Sequence, residues 1–293
     1  MKLSCTTVML PRWTLDETFD KLAEHGYDGV ELRCRYNPAP VADILPSRSF
    51  WGPHCCDIDP GNIIAHSGAI RAAAERTGLR VVALAPQCRL GEDDHLGKLL
   101  AGAVAINPDA PPMIRVQAQP YDRTQPYAPQ FDLARAGFAR IAESARQQGV
   151  KILYEIHAGT LAVTASRTLE LLRGIDPETI GAIYDVPNMV VTGLEDTRMG
   201  LELLGSYLAH CHIGNRVPIR ETGTANEAAS WTWAFCGLTE GLAPIGQIIA
   251  DLKAIEYDQY VSLEDFGPGD DEDKIRQQGA HLRRLINVET TAV

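Results

Sequence analysis

The stretch GVKILYE, Gly149 to Glu155, decides the reading of the fold. A helical pattern from Phe131 to Gln147 runs into Gly149, where a left-handed helix cap is expected, and a short apolar strand follows from Lys151 and ends on a carboxylate. The same order recurs on both sides of it. Gly26 precedes the strand candidate Gly29 to Leu32, and Gly78 precedes Arg80 to Leu84. The remaining candidates are Lys2 to Cys5, Met113 to Val116, Ile180 to Tyr184, Leu208 to His212 and Tyr260 to Leu263. Helix starts are legible too: Thr14 with Glu17 three residues later forms a capping box, and Asn62 and Asp94 are candidate caps for the next two helices.

Eight short strands alternating with helical patterns are the mark of βαβ units and a parallel sheet. They predict an α/β chain, a (β/α)8 TIM barrel forming a single domain over residues 1 to 293. Loops after each strand then gather at the C-terminal face. Two of them are long: residues 33 to 61, with Pro38, Pro40, Pro46, Pro53 and Pro60, and residues 213 to 242, with Trp231 and Trp233. Such lengths inside a compact domain predict lids or binding walls. Residues from about Val288 onward read as a loose tail.

Composition bounds the partners. With 45% apolar and 22% charged residues, the chain is ordinary globular material. A formal net charge of -11 opposes nucleic-acid binding and an anionic membrane surface. Seven cysteines without CxxC pairing predict reduced thiols. Neither a secretory leader nor a membrane-spanning run is read, so the expected location is cytoplasmic.

Glu155 ends KILYE, Asp185 ends AIYD, His212 ends LAHCH and Glu264 follows VSL. The intervals from 155 to 185 and from 185 to 212 are 30 and 27 residues, each about one βα unit, so adjacent strands deliver adjacent donors. Three carboxylates and one imidazole form a hard, oxygen-rich set. It points to one divalent metal, Mn²⁺ or Mg²⁺ first, with Co²⁺ and Zn²⁺ as further candidates. Each residue taken singly could equally end a strand in solvent or in a salt bridge.

These segments resemble the xylose-isomerase-like sugar isomerase and epimerase superfamily of TIM barrels. The resemblance is carried by HGYDGVELR (25 to 33), YEIHAGTL (154 to 161), YDVPNMVVTG (184 to 193), HCHIGN (210 to 215) and YDQYVSLEDF (257 to 266). It implies that Glu155, Asp185, His212 and Glu264 are the metal ligands and that Glu155 and Glu264 are the catalytic acid/base pair. A metal chelating two substrate oxygens would acidify the neighbouring C–H and stabilise an enediolate. The implied activity is therefore a metal-dependent isomerase or epimerase of a small keto sugar or keto acid, in carbohydrate metabolism. Homo-oligomers are common among proteins of this resemblance.

The sequence departs from the ketose 3-epimerase pattern at two places and from other members of the superfamily at a third. Asn188 stands where a histidine is common, Arg216 lies four rather than about six residues beyond the ligating histidine, and Gly214-Asn215 stands where other members carry Lys-Asp. His157, Asn188 and Arg216 are the substrate-binding candidates. His157 reaches a substrate hydroxyl, orients Glu155, or makes an ordinary loop hydrogen bond. Arg216 grips a carboxylate or phosphate, or forms a surface salt bridge. His210 reads as a buried histidine satisfied by a neighbouring strand, and Glu31 with Arg33 as a pair closing the barrel mouth. Trp13, Trp51, Trp231 and Trp233 divide between core packing and an apolar wall. The acidic run Asp270 to Asp273 after Gly267 and Gly269 disfavours a phosphorylated substrate.

Two other readings use the same residues: a dehydratase of a polyol or inosose-like substrate, and a non-catalytic sugar-binding barrel. An endonuclease-IV-type phosphodiesterase requires a larger His-rich cluster on a basic surface, which this acidic chain does not offer.

Overall fold

The computed structural model describes residues 1–35, 52–193, 195–221 and 230–288. Among them, eight parallel strands close into a barrel: β1 (Lys2–Thr6), β2 (Gly29–Cys34), β3 (Arg80–Pro86), β4 (Met113–Arg115), β5 (Ile152–Glu155), β6 (Ile180–Asp185), β7 (Leu208–Ile213) and β10 (Tyr260–Leu263). Between β7 and β10 stands an antiparallel hairpin, β8 (Asn215–Glu221) and β9 (Ser230–Cys236). The surrounding helices are α1 (Leu15–Glu24), α2 (Ile63–Thr77), α3 (Asp93–Ile106), α4 (Tyr127–Arg146), α5 (Ala165–Leu172), α6 (Val186–Thr192), α7 (Thr197–Leu204), α8 (Ile245–Ala254) and α9 (Asp271–Asn287). All eight expected strands are present, each end within two residues of its expected place. No helix among the described residues is long and apolar enough to cross a membrane.

Period-two alternation sorts each strand between two apolar regions. Ile152, Tyr154, Ala182 and Tyr184 join the main core between strands and helices. Leu153, Ile183 and Ala83 form a separate buried cluster, with Met113 and Ala209 against it, that fills the barrel. Two residues further along each strand on that inner face come Glu155, Asp185 and Arg115. Polar groups therefore sit directly above an apolar plug.

The Thr14–Glu17 capping box forms as expected. Gly78 caps α2 at φ 74°, a conformation that a residue with a Cβ adopts only with strain. Asn62 does occupy the N-cap position of α2 but does not cap it. Its side chain accepts from Asp59 N–H and donates to the Asp57 carbonyl, closing the preceding loop instead. Asp94 lies inside the first turn of α3, where it pairs with Lys98. The expected long loop 213 to 242 is largely the β8–β9 hairpin, whose β-branched and aromatic runs pair with each other. Within the other long loop, residues 36–51 lie outside the described residues, as does Trp51, and so do residues 289–293 of the expected tail. All seven cysteines are free thiols.

Candidate metal centre

Four donors meet at the C-terminal mouth of the barrel. One donor atom from each of Glu155, Asp185, His212 and Glu264 lies within 4.8 Å of the others. His212 Nδ1 is 3.2 Å from Asp185 Oδ2, 3.2 Å from Glu155 Oε1 and 3.7 Å from Glu264 Oε1. Strand register explains the arrangement. Asp185 and His212 are direct partners in the β6–β7 ladder, and Glu264 follows β10 with its N–H on the Ile213 carbonyl. An irregularity in that ladder places Ala209 as an extra residue on β7, packed over Gly181, where an added Cβ would overlap it. Bulges of this kind re-aim the side chains beyond them. Gly214 is similarly constrained, because an added Cβ would run into the main-chain oxygen of Glu264.

The donors are electrostatically unequal. Burial disfavours ionisation of Glu155, but the Arg115 guanidinium, with Nη1 3.0 Å from Oε1, and the His212 imidazole outweigh it and hold the carboxyl well below its usual range. Glu264 goes the other way. Burial and the neighbouring Asp185 raise its carboxyl well above that range. Burial works against a charge on His212, yet Glu31 and Glu264 prevail and raise it well above an ordinary histidine. Three carboxylates crowded around one imidazole in a buried site repel one another, which on top of burial lifts the Glu264 carboxyl. Hard oxygens with one nitrogen make a fitting donor set for a divalent ion.

A cavity of about 510 Å³ opens over this cluster. Glu155 and Glu264 line it, whereas Asp185 and His212 are fully buried beneath. His157, Asn188 and Arg216 all reach the cavity wall. His157 Nδ1 bonds the Ala158 carbonyl at 2.7 Å. Asn188 is held by α6, for which Asp185 is the side-chain cap, accepting Asn188 N–H at 2.8 Å. Arg216 stacks over Phe235, 3.8 Å from the ring centroid, rather than forming a surface salt bridge.

A family model described as xylose isomerase-like TIM barrel matches residues 19–285. The chain belongs to this family. Among curated relatives, inosose dehydratase of Mesomycoplasma hyopneumoniae strain J is 26% identical over 133 residues, 44% of this chain and 44% of that protein, so the match spans less than half of either. Among solved structures, 3-keto-D-glucoside 4-epimerase from E. coli superposes with a TM-score of 0.69 at 16% identity, covering 97% of this chain and 99% of that one. The IOLI protein, solved with a bound zinc atom, gives 0.70 at 16% identity and 98% coverage of both chains. At these identities the superpositions speak for the fold alone.

Beyond the strand-end donors, this xylose isomerase-like barrel uses residues that the sequence reading overlooked. Arg115 is buried in β4, donating from Nη1 to Glu155 and from Nη2 to the Pro86 carbonyl, and Gln117 donates to Glu155 Oε2. An arginine inside the otherwise apolar run MIRV was the available signal. Glu31 does not pair with Arg33 at the mouth. Its Oε2 accepts from His212 Nε2 at 3.0 Å and from His210 Nε2 at 3.3 Å, while Arg33 donates to the Gly52 carbonyl. His210 is buried as expected, but its partner sits on β2, which does not adjoin β7. Trp13 packs in the core, Trp233 is partly buried against it, and Trp231 is exposed. The acidic run opens α9, where Asp270 is the side-chain cap and, with Asp271, pairs with Arg12.

Proposed function

We propose that this protein is a divalent-metal-dependent isomerase or epimerase of a small keto sugar or keto acid, with Mn²⁺ or Mg²⁺ held by Glu155, Asp185, His212 and Glu264. The observation that carries the reading is the division of labour within the cluster. All four donors converge, but only the two glutamates face the cavity. A divalent ion there would polarise a carbonyl and lower the pKa of the adjacent C–H.

Of the two glutamates that line the cavity, one accepts the proton from carbon and the other supplies one in return. Return to the opposite face of the same carbon inverts it, and return to the neighbouring carbon moves the carbonyl. Asn188, His157 and Arg216 bind and orient the substrate from the wall.

The partial match to inosose dehydratase supports a second reading on the same residues. There one glutamate would take the proton next to the carbonyl, and the hydroxyl on the following carbon would leave as water with a proton from the other.

The test is solvent deuterium incorporation into a panel of keto sugars and keto acids, with metal-stripped and metal-restored protein, comparing wild type with Glu264→Gln. Exchange that needs Mn²⁺ or Mg²⁺ and is lost in the variant supports the proposal. Release of a dehydrated product moves the assignment to the second reading. Bound metal with neither exchange nor elimination leaves a sugar-binding barrel.

A further inference from the structure

The cavity carries a cation, Arg216, that has no ion-pair partner among the described residues. Arg216 is the second residue of β8, and its main chain is fixed on both sides. Its N–H donates to Asn215 Oδ1 at 2.9 Å and its carbonyl accepts from Leu242 N–H at 3.0 Å. Asn215 is itself buried, its amide donating to the Leu238 and Ala243 carbonyls. The guanidinium then lies over Phe235, its partner in the β8–β9 ladder, and Phe235 packs edge-on against Phe266 with centroids 5.1 Å apart. This is a preorganised arm, built from backbone ties and two rings.

Arg216 Nε is buried and has no hydrogen-bond partner among the described residues. Asp185 and Glu264 act on the guanidinium through space, without a hydrogen bond to it. An arginine stacked by one face on a ring leaves its N–H edge for an in-plane acceptor, and two parallel N–H groups match the two oxygens of a carboxylate. Burying Nε without such an acceptor is unfavourable, and a neutral hydroxyl compensates it only in part.

We propose that Arg216 docks a carboxylate at the end of the substrate remote from the reacting carbons, so that the natural substrate is a sugar acid or keto acid. This rests on the proton-transfer reading above, with the carbonyl end over Glu155 and Glu264. A six-carbon acid fits a cavity of about 510 Å³. A phosphate is less well served. The helix after the last barrel strand, where a phosphate could be held by main-chain N–H groups, has them already taken by Asp270 and is flanked by Asp271 and Asp273.

The experiment is calorimetric binding of three probes to Mn²⁺-loaded wild type and Arg216→Met: D-fructose, D-fructose 6-phosphate, and D-fructuronate, whose C6 is a carboxylate. Mn²⁺ affinity is measured on both proteins as well. The expected result is that wild type prefers fructuronate to fructose by about tenfold or more. Arg216→Met abolishes that preference and binds Mn²⁺ as wild type does. Equal binding of fructose and fructuronate, no fructuronate binding at all, a preference that survives in the variant, or a stronger preference for the phosphate overturns the carboxylate assignment. Metal-dependent exchange of a neutral ketose without any uronate preference overturns it while leaving the proton-transfer reading in place. Failure of wild type to bind Mn²⁺ removes that reading and this one with it, and loss of Mn²⁺ binding in the variant alone overturns the carboxylate assignment only.

Discussion

His212 donates its Nε2 hydrogen to Glu31 Oε2 at 3.0 Å, across the barrel from β7 to β2, three strands away in the closed order. This bond turns Nδ1 toward Asp185, Glu155 and Glu264, and so selects which nitrogen can hold a cation. Glu31→Gln, which replaces the buried carboxylate acceptor by a neutral amide, is expected to weaken Mn²⁺ binding by roughly 10–100-fold. Titration calorimetry checks it, with circular dichroism as the control for folding. Unchanged affinity in a folded variant would show that His212 needs no such anchor.

Metal binding is expected to depend on pH in one direction. The raised pKa values of His212 and Glu264 mean that both tend to carry protons in the metal-free protein. A cation must displace those protons, so its apparent affinity rises with pH, by roughly tenfold per unit for each proton released. Calorimetry in two buffers of different ionisation enthalpy reads the proton count directly. A count of zero near neutral pH contradicts the shifts.

Gly214→Ala is expected to injure the centre more than the fold. The new Cβ presses on the main-chain oxygen of Glu264, so β10 must shift where it delivers that carboxylate. Mn²⁺ affinity should fall by about tenfold or more, since ligands need placement within a few tenths of an ångström. Thermal unfolding and metal titration of the same preparation separate local from global damage. Wild-type affinity would mean that the strand end yields without moving Glu264.

A fourth expectation concerns stability away from the centre. His54 is buried, accepts Cys56 N–H on Nδ1 and donates from Nε2 to the Thr7 carbonyl, so both nitrogens are used by a neutral ring. Burial and the nearby Arg33 lower its pKa from 6.5 to about 4. Because the unfolded chain takes up this proton first, the stabilising contribution is whole above pH 6.5 and is lost as pH falls toward 4. The loss amounts to roughly 3 kcal/mol at most. Urea unfolding between pH 7 and pH 4 should show a shallower acid decline in His54→Gln than in wild type. Identical slopes would assign the decline to other groups.

The barrel was legible because its signals repeat. Each strand is a short apolar run flanked by a helical pattern, and the donors end strands that adjoin one another, so spacing alone brought Glu155, Asp185 and His212 together. Residues whose partners lie far off in the chain were harder to read. Arg115 and Glu155 are 40 residues apart and Glu31 and His212 are 181 apart, and no local period announces such pairs. The hairpin was missed for another reason. Its strands pair outside the barrel, and Pro218 interrupts the apolar pattern of β8, so the segment scanned as a loop. Asn62 shows that a capping residue in the right place can spend its side chain on the loop before the helix.

The β8–β9 arm pairs only with itself among the described strands, while all four donors hang from the barrel. Heredity can therefore rewrite the two parts separately. If Arg216 on the arm recognises substrate as proposed, mutations there would exchange what is recognised while the donors on the barrel stay in place, and a lineage would acquire new substrates and keep its engine.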